Sequence, residues 1–310
     1  MTDPGMMAAP DQAHVAGQTA PEGGPAKERN ASLWADAGRE LIRNPVFVVA
    51  SLVIIVILSM AVMPWLWTST DPNRCLLKYA KDGPTAGHIL GYSVQGCDYY
   101  AQAIYGAGPT IAVAVLATAG SVLIGGLTGI LAGYYGRWTD GIISRVADVF
   151  LGLPFLLGTL TFLSLLPIRN VWSVVGALVL LGWPTITRIM RASVIAAKDM
   201  DYVHAAKSLG ASDLRLIFRH VLPNAIAPVV VVATILLGTY VGAEATLTFI
   251  GVGLRPPIVS WGVMITQGTN WVLSGYPHLL LVPVGFLVAT VLSFILIGDA
   301  ARDALDPKLR

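Results

Sequence analysis

The sequence predicts an all-α protein that crosses a membrane six times. Of its 310 residues, 55% are hydrophobic and only 12% are charged, a composition typical of membrane proteins. The apolar residues form long uninterrupted runs, and about 20 such residues are needed for a helix to cross roughly 30 Å of hydrocarbon. The predicted spans are, in chain order, Val46–Trp67, Pro109–Tyr135, Ile142–Pro167, Val171–Arg188, Ala225–Gly251 and Leu279–Ala300.

The remaining segments follow from these spans. Residues 1–31 are rich in Ala, Pro, Gly and Gln and contain no apolar core of the signal-peptide type, so we expect a disordered tail and an uncleaved first span, 46–67. The other predicted parts are an amphipathic lead-in at 32–45, an external loop at 68–108, a five-helix core at 109–300 that includes a polar loop at 198–224, and a C-terminal tail at 301–310.

The positions of Lys and Arg predict the orientation in the membrane. The six-span topology places 15 of these residues on one side and five on the other, the five being Arg74, Lys78, Lys81, Arg169 and Arg255. Cytoplasmic segments carry the excess of basic residues, so both termini are predicted to be cytoplasmic. The basic residues do not cluster as a nucleic-acid-binding surface requires, and membrane lipid is the expected surrounding.

The only two cysteines, Cys75 and Cys97, both fall in the predicted external loop. Thiols outside the membrane can remain oxidised, which favours a disulfide that closes this loop. The alternative is a pair of free thiols on a mobile loop.

A stripe of small residues marks the second span. Gly125, Gly129 and Gly133 recur at spacings of four, and such a stripe lets two helix backbones approach closely in lipid. We therefore expect helix packing here rather than ligand binding.

Two acidic residues in the spans are candidates for lining a pathway through the membrane or contacting a partner, because a charge in hydrocarbon must face protein or water. Asp148 lies three residues after Arg145, where a local ion pair or a role at a helix end is expected. Glu244 lies about 30 Å along the fifth helix from Asn224, near the outer face. It could line a cavity, contact an external partner, or sit among solvated headgroups.

The polar stretch "HAAKSLGASDLRLIFRHVLPN", residues 204–224, interrupts the apolar runs. It predicts a short helix to Leu209, a left-handed turn at Gly210, and a second helix that is capped by Ser212 and closed by Pro223. The apolar face of the second helix is predicted to be Leu214, Ile217, Phe218 and Val221.

An amphipathic helix lying on the bilayer surface is the simplest explanation of this stretch. It suits the second helix but not the first, because Ala205 and Ala206 offer lipid little apolar area. These two alanines favour close approach by another protein.

The stretch resembles the "EAA…G…LP" loop of the membrane subunits of bacterial ABC importers. Ala205, Ala206, Gly210, Leu222 and Pro223 stand at the motif positions. The resemblance implies a coupling helix, running from Asp201, that contacts an ATP-hydrolysing subunit. His204 replaces the glutamate of the motif, and histidine cannot reproduce a salt bridge made by that carboxylate.

Four further stretches are similar to the C-type permease subunit of dipeptide and oligopeptide importers, and the similarity runs from Ser32 to Asp306. They are "SLWADAGRELIRNP", "GYYGRWTDGIISRVAD", "RHVLPN" and "EATLTFIGVGLRPPIVSWGVMI". The resemblance implies a type I ABC importer permease fold in the bacterial cytoplasmic membrane. It also implies three kinds of partner, namely a sister B-type permease subunit, ABC ATPase subunits and an extracytoplasmic substrate-binding protein.

The chain contains no G-x-x-x-x-G-K-[ST] phosphate loop, so ATP and Mg²⁺ are expected on the partner ATPase subunits and the chain is not expected to be catalytic. Its five histidines show no metal-ligand spacing. Two alternatives remain. A nickel permease of the same branch would share these motifs, whereas an ATP-independent secondary transporter would need a charge relay or broken helices in mid-membrane.

Overall fold

The computed structural model of the protein describes residues 33–305, and all regular elements in this part of the chain are helical. The predicted tail at 1–31 and the last five residues lie outside the described range. The α-helices are α1 (Leu33–Arg43), α2 (Pro45–Val62), α3 (Tyr99–Tyr135), α4 (Arg137–Leu151), α5 (Phe155–Leu165), α6 (Val171–Lys198), α7 (Asp201–Ser208), α8 (Asp213–Leu216), α9 (Leu222–Ala225), α10 (Ala227–Phe249), α11 (Trp261–Gly268) and α12 (His278–Leu305).

Five of these helices are long and apolar enough to cross a membrane, namely α2, α3, α6, α10 and α12. A sixth passage exists only if α4 and α5 are counted together, and they are bent by 85° at the break between them. The prediction of one continuous third helix, Ile142–Pro167, is therefore wrong. The physical reason is Pro154, which disfavours helical geometry in the residue before it and cannot donate a backbone hydrogen bond.

Three spans are longer than their apolar runs. α3 begins at Tyr99, because the Asp98 carboxylate accepts a hydrogen bond from the Ala101 N–H at 2.7 Å and caps the helix. At their C-terminal ends, α6 continues ten residues past Arg188 to Lys198, and α12 continues past Ala300 to Leu305. The predicted spans for α6 and α12 end at or just before charged residues, but a helix can continue into water beyond the bilayer. The loop that was predicted to be external accordingly ends at Asp98, not at residue 108.

The glycine stripe of α3 lies against α6. A Cβ atom added at Gly129 would lie 2.6 Å from the Met190 Cβ and 2.8 Å from the Thr187 carbonyl oxygen, and one at Gly133 would lie 2.9 Å from the Val194 Cβ. A Cβ at Gly125 would lie 2.5 Å from the Trp183 carbonyl oxygen. Only glycine permits this separation between the two backbones.

The loop between α2 and α3 is folded. Cys75 and Cys97 form a disulfide, and backbone hydrogen bonds beside it join Leu76 to Gly96 at 3.0 Å and Lys81 to Ser93 at 2.9 Å. The Lys81 ammonium lies 3.8 Å from the centre of the Trp271 ring. This cation–π contact fastens the loop to the turn that precedes α12.

Candidate functional site

Residues 198–224 form the candidate site, which we call the coupling segment. Its first helix, α7, ends in a Schellman motif at Gly210, where φ is +82°. The Gly210 N–H donates to the Lys207 carbonyl at 3.0 Å, and the Ala211 N–H donates to the Ala206 carbonyl at 3.2 Å. Glycine is the residue that adopts this left-handed conformation without a steric penalty. The bend therefore lies at Gly210, as the sequence predicts.

The second half of the coupling segment differs from the prediction. After α8 the chain forms a π-helical turn over Ile217–Val221 and continues through α9 into α10. Leu214 and Phe218, predicted to be on the buried face, are 67% and 62% exposed. Leu216 is buried instead, beside Ile217 and Val221. The apolar cluster with α6 and α10 covers the face that carries Leu216 and Val221, and the π turn that follows departs from the 3.6-residue period assumed in the sequence pattern.

Two of the predicted helix-end residues also behave differently. The Ser212 side chain makes no capping hydrogen bond, although α8 begins directly after it. Pro223 does not end a helix. It lies in the first turn of α9, and the helical path continues through it from the π turn without a backbone N–H at this position.

The coupling segment is fixed to the spans by one apolar cluster. Its buried members are Ile186, Met190, Val194 and Ala197 of α6, Val203 of α7, Leu216 and Val221 of the second half, Ala225 of α9 and Val229 of α10. Because α7 contributes to the same cluster as α6 and α10, a displacement of α7 must move these spans or break the cluster.

Polar contacts reinforce this attachment. The Tyr134 hydroxyl donates to the Asp213 carboxylate at 2.8 Å, and the Lys198 ammonium donates to the Tyr134 carbonyl at 3.1 Å. The Asn224 amide donates to the Tyr202 hydroxyl at 2.9 Å. No local sequence pattern predicts these contacts, because Tyr134 and Asp213 are 79 residues apart.

The opposite face of α7 points away from the protein. Asp201, His204 and Ala205 are exposed on it, and Leu209 at its end is 89% exposed. Ala206 is instead partly buried and packs on the apolar cluster. The two alanines of the motif therefore face in different directions, and only Ala205 is available to another protein.

Comparison with known proteins identifies the family. Residues 125–310, which include the whole coupling segment, match the family described as the inner membrane component of binding-protein-dependent transport systems. The chain belongs to this family. Residues 32–80 also match the N-terminal transmembrane domain of oligopeptide transport permease C.

Curated relatives of this permease span nearly the same length. The oligopeptide transport system permease protein OppC of Bacillus subtilis is 34% identical over 91% of this chain and 92% of its own. The dipeptide permease protein DppC of Alkalihalophilus pseudofirmus is 33% identical over 90% and 91% of the two chains. The glutathione permease protein GsiD of Pectobacterium atrosepticum is 31% identical over 89% and 92%.

A solved structure shares the fold of the permease. It is an inward-facing conformation of the MetNI methionine ABC transporter, which matches with a TM-score of 0.53 and 19% identity over 66% of this chain and 96% of that chain. This likeness confirms the predicted type I ABC importer permease fold.

Asp148 of the permease is paired, but with a different partner from its sequence neighbour Arg145. Its carboxylate accepts a hydrogen bond from the Arg188 guanidinium of α6 at 2.7 Å. A second pair, between Asp140 and Arg191, also joins α4 to α6, with a contact of 2.6 Å. Both aspartates therefore attach the bent helix to α6. Asp148 and Arg188 are half-exposed, so this pair adds little stability.

Glu244 does not lie among headgroups, and it does not face a cavity or a partner, because its side chain is completely buried. One carboxylate oxygen accepts hydrogen bonds from the Thr248 hydroxyl at 3.0 Å and the Ser260 hydroxyl at 3.1 Å. The segment that leads into α11 covers it, and Gly262 allows this approach, since a Cβ there would be 3.1 Å from the carboxylate. Helix length could not predict this cover, because the covering segment comes from later in the chain.

Proposed function

We propose that the chain is the translocation subunit of an ATP-driven importer of dipeptides or oligopeptides. The observation that carries this proposal is the match to permease proteins of oligopeptide, dipeptide and glutathione transport systems along about 90% of both chains. All three named substrates are peptides. The relatives therefore favour peptides over nickel as the transported solute.

The proposal includes three kinds of partner. A sister B-type permease subunit completes the membrane pathway, two ABC ATPase subunits bind ATP and Mg²⁺, and an extracytoplasmic binding protein delivers the peptide. In this arrangement the termini and the coupling segment are cytoplasmic, while the disulfide-closed loop is external. The exposed face of α7, with His204 and Ala205, contacts an ATPase subunit.

Coupling requires a rigid link between the ATPase subunits and the spans. Val203 on the inner face of α7 packs with α6 and α10, so movement of the docked ATPase reaches both spans. To reverse a 1:99 ratio of inward-open and outward-open states, ATP must bind one state more favourably by about 5.5 kcal/mol.

A pull-down with matched variants tests the docking step. The tagged chain is purified from membranes in mild detergent, alone and with Ala205→Trp. A bulky side chain at Ala205 projects from the exposed face and blocks close approach without disturbing the apolar cluster. Ala86→Trp is the control, because Ala86 is also exposed but lies in the external loop.

We expect the parent chain and the Ala86→Trp variant to retain a sister permease and ABC ATPases, and the Ala205→Trp variant to lose the ATPases while it remains in the membrane. Recovery of the parent chain without any ATPase would refute the proposed function. Full ATPase retention by Ala205→Trp would refute the docking face alone.

A further inference from the structure

A cavity of about 490 Å³ lies beside the break between α4 and α5. This volume is within the range of roughly 300–1,000 Å³ that is usual for sites that hold small molecules. Its walls include Leu153 and Pro154 from the break, Gly182 and Thr185 from α6, and Thr239 and Tyr240 from α10.

The backbone around this cavity is irregular in two elements. At the break, the Gly152 and Leu153 N–H groups still donate back into α4, helical bonding resumes where Gly158 donates to the Pro154 carbonyl, and the first turn of α5 has no side-chain cap. In α6, Pro184 lies inside the helix and cannot donate to the carbonyl of Leu180, one turn earlier. Irregular backbone is tolerated at membrane depth only where it is buried in protein or lines a water-filled cavity.

The position of the cavity along the spans agrees with such a role. Thr239 lies near the middle of α10, and Ser121, whose hydroxyl bonds to that of the neighbouring Tyr240, lies near the middle of the apolar run of α3. The break lies between the two halves of the third passage. In transporters, discontinuous helices near the bilayer midplane are the usual site of the transported solute.

The walls are uncharged and weakly polar. Thr185 and Thr239 contribute hydroxyl groups, and the Tyr240 hydroxyl is held by the Ser121 hydroxyl at 2.9 Å. Gly182 leaves the space for that hydroxyl, because a Cβ there would lie 1.8 Å from it. Since no charged side chain lines the cavity, neither sign of charge on a solute is excluded.

We propose that this cavity is the chain's half of the translocation pathway, with Thr185 and Thr239 in contact with the passing peptide. The inference rests on the proposed function and adds the residues that the solute meets. Lipid cannot hydrogen-bond the irregular backbone, whereas a hydrated peptide can.

Thiol labelling in membranes that contain the complete transport system tests this placement. Thr239→Cys is treated with the charged reagent sulfonatoethyl methanethiosulfonate, and the parent chain, whose two cysteines are joined, sets the background. Thr161→Cys is the matched control. Thr161 is also an exposed threonine that bonds the carbonyl four residues earlier, but it lies outside the cavity walls.

We expect Thr239→Cys to react at least about tenfold faster than Thr161→Cys, because the charged reagent enters water-filled space but not hydrocarbon. Labelling should also stop peptide uptake. Equal, slow labelling of both positions would overturn the inference, and would mean that lipid or the sister subunit covers the cavity. Labelling without loss of uptake would overturn it as well.

A pair of variants with opposite charges at Thr239 provides a second, independent test. Uptake of the dipeptides Ala-Lys and Ala-Glu is compared in Thr239→Asp and Thr239→Lys. If Thr239 contacts the solute, the two variants shift the Ala-Lys to Ala-Glu ratio in opposite directions, by about threefold or more each, since unlike charges attract and like charges repel. A purely structural disturbance would lower both uptakes together.

Unchanged ratios in variants that still take up peptide would overturn the inference while leaving the proposed function intact. Failure of the parent system to import either dipeptide with ATP would count against the proposed function itself.

Discussion

Gly210 is the residue on which the bend of the coupling segment depends. Its φ of +82° is disfavoured for other residues, although a Cβ would meet nothing within 4 Å. We predict that Gly210→Ala weakens the bend by about 1 kcal/mol and lowers uptake modestly. Gly210→Pro should abolish uptake, because proline fixes φ near −65° and removes the N–H that donates to the Lys207 carbonyl.

The measurement is ATP-dependent peptide uptake, normalised to the amount of chain in the membrane. Gly210→Asn is the control, since asparagine tolerates the left-handed conformation better than alanine. Uptake by Gly210→Pro at the parental rate would contradict a rigid bend.

Gly129 is the residue at which α3 and α6 approach each other closely. We predict that Gly129→Ala destabilises the protein by about 1–3 kcal/mol through overpacking, because the Cβ would lie 2.6 Å from the Met190 Cβ. Thermal unfolding in detergent measures this. Gly176→Ala in α6 is the matched control, since a Cβ there meets nothing within 4 Å. Equal melting temperatures for both variants would show that the two helices separate freely at Gly129.

Single residues also show which features of the structure could be predicted from the sequence. Gly210 could be predicted, because a glycine between two short helices has a local conformational reason. The split between Ala205 and Ala206, and the burial of Glu244, could not be predicted, because each depends on a segment that packs from elsewhere in the chain.

At the scale of elements, the disulfide makes the loop between α2 and α3 a structural unit. Cys75 and Cys97 are separated by 22 residues, and closing a loop of this length stabilises a folded state by about 3 kcal/mol in the chain-entropy treatment. We predict that Cys97→Ser makes this loop much more sensitive to added protease, while the ATPase subunits still co-purify.

Cys75→Ser should behave identically, because either change removes the same bond. Alkylation of both thiols in the unreduced parent protein, followed by mass spectrometry, would contradict the disulfide.

The elements divide into those with a local signal and those without one. Five long apolar runs were sufficient to predict α2, α3, α6, α10 and α12. The break in the third passage was missed, because the sequence around Gly152–Pro154 is as apolar as its flanks and hydrophobicity does not report backbone geometry. The π turn at Ile217–Val221 was missed for a related reason, since a 3.6-residue period was assumed throughout.

At the scale of the whole molecule, α6 connects the two functional regions. Its Ile186, Met190 and Val194 side chains hold the coupling segment in the apolar cluster, and Thr185 lines the cavity at the break. A displacement of α7 is therefore transmitted along one continuous helix to the cavity wall. In the function proposed above, this connection is the physical route from ATP binding on the partner subunits to the proposed pathway.

The most direct test of this account is peptide uptake by liposomes that contain the purified transport system with the binding protein outside and ATP trapped inside. We predict that uptake requires ATP and the sister permease and ATPase chains, and that Ala205→Trp abolishes it whereas Ala86→Trp does not. Uptake by this chain alone without ATP, or ATP-driven uptake at the parental rate by Ala205→Trp, would contradict the account.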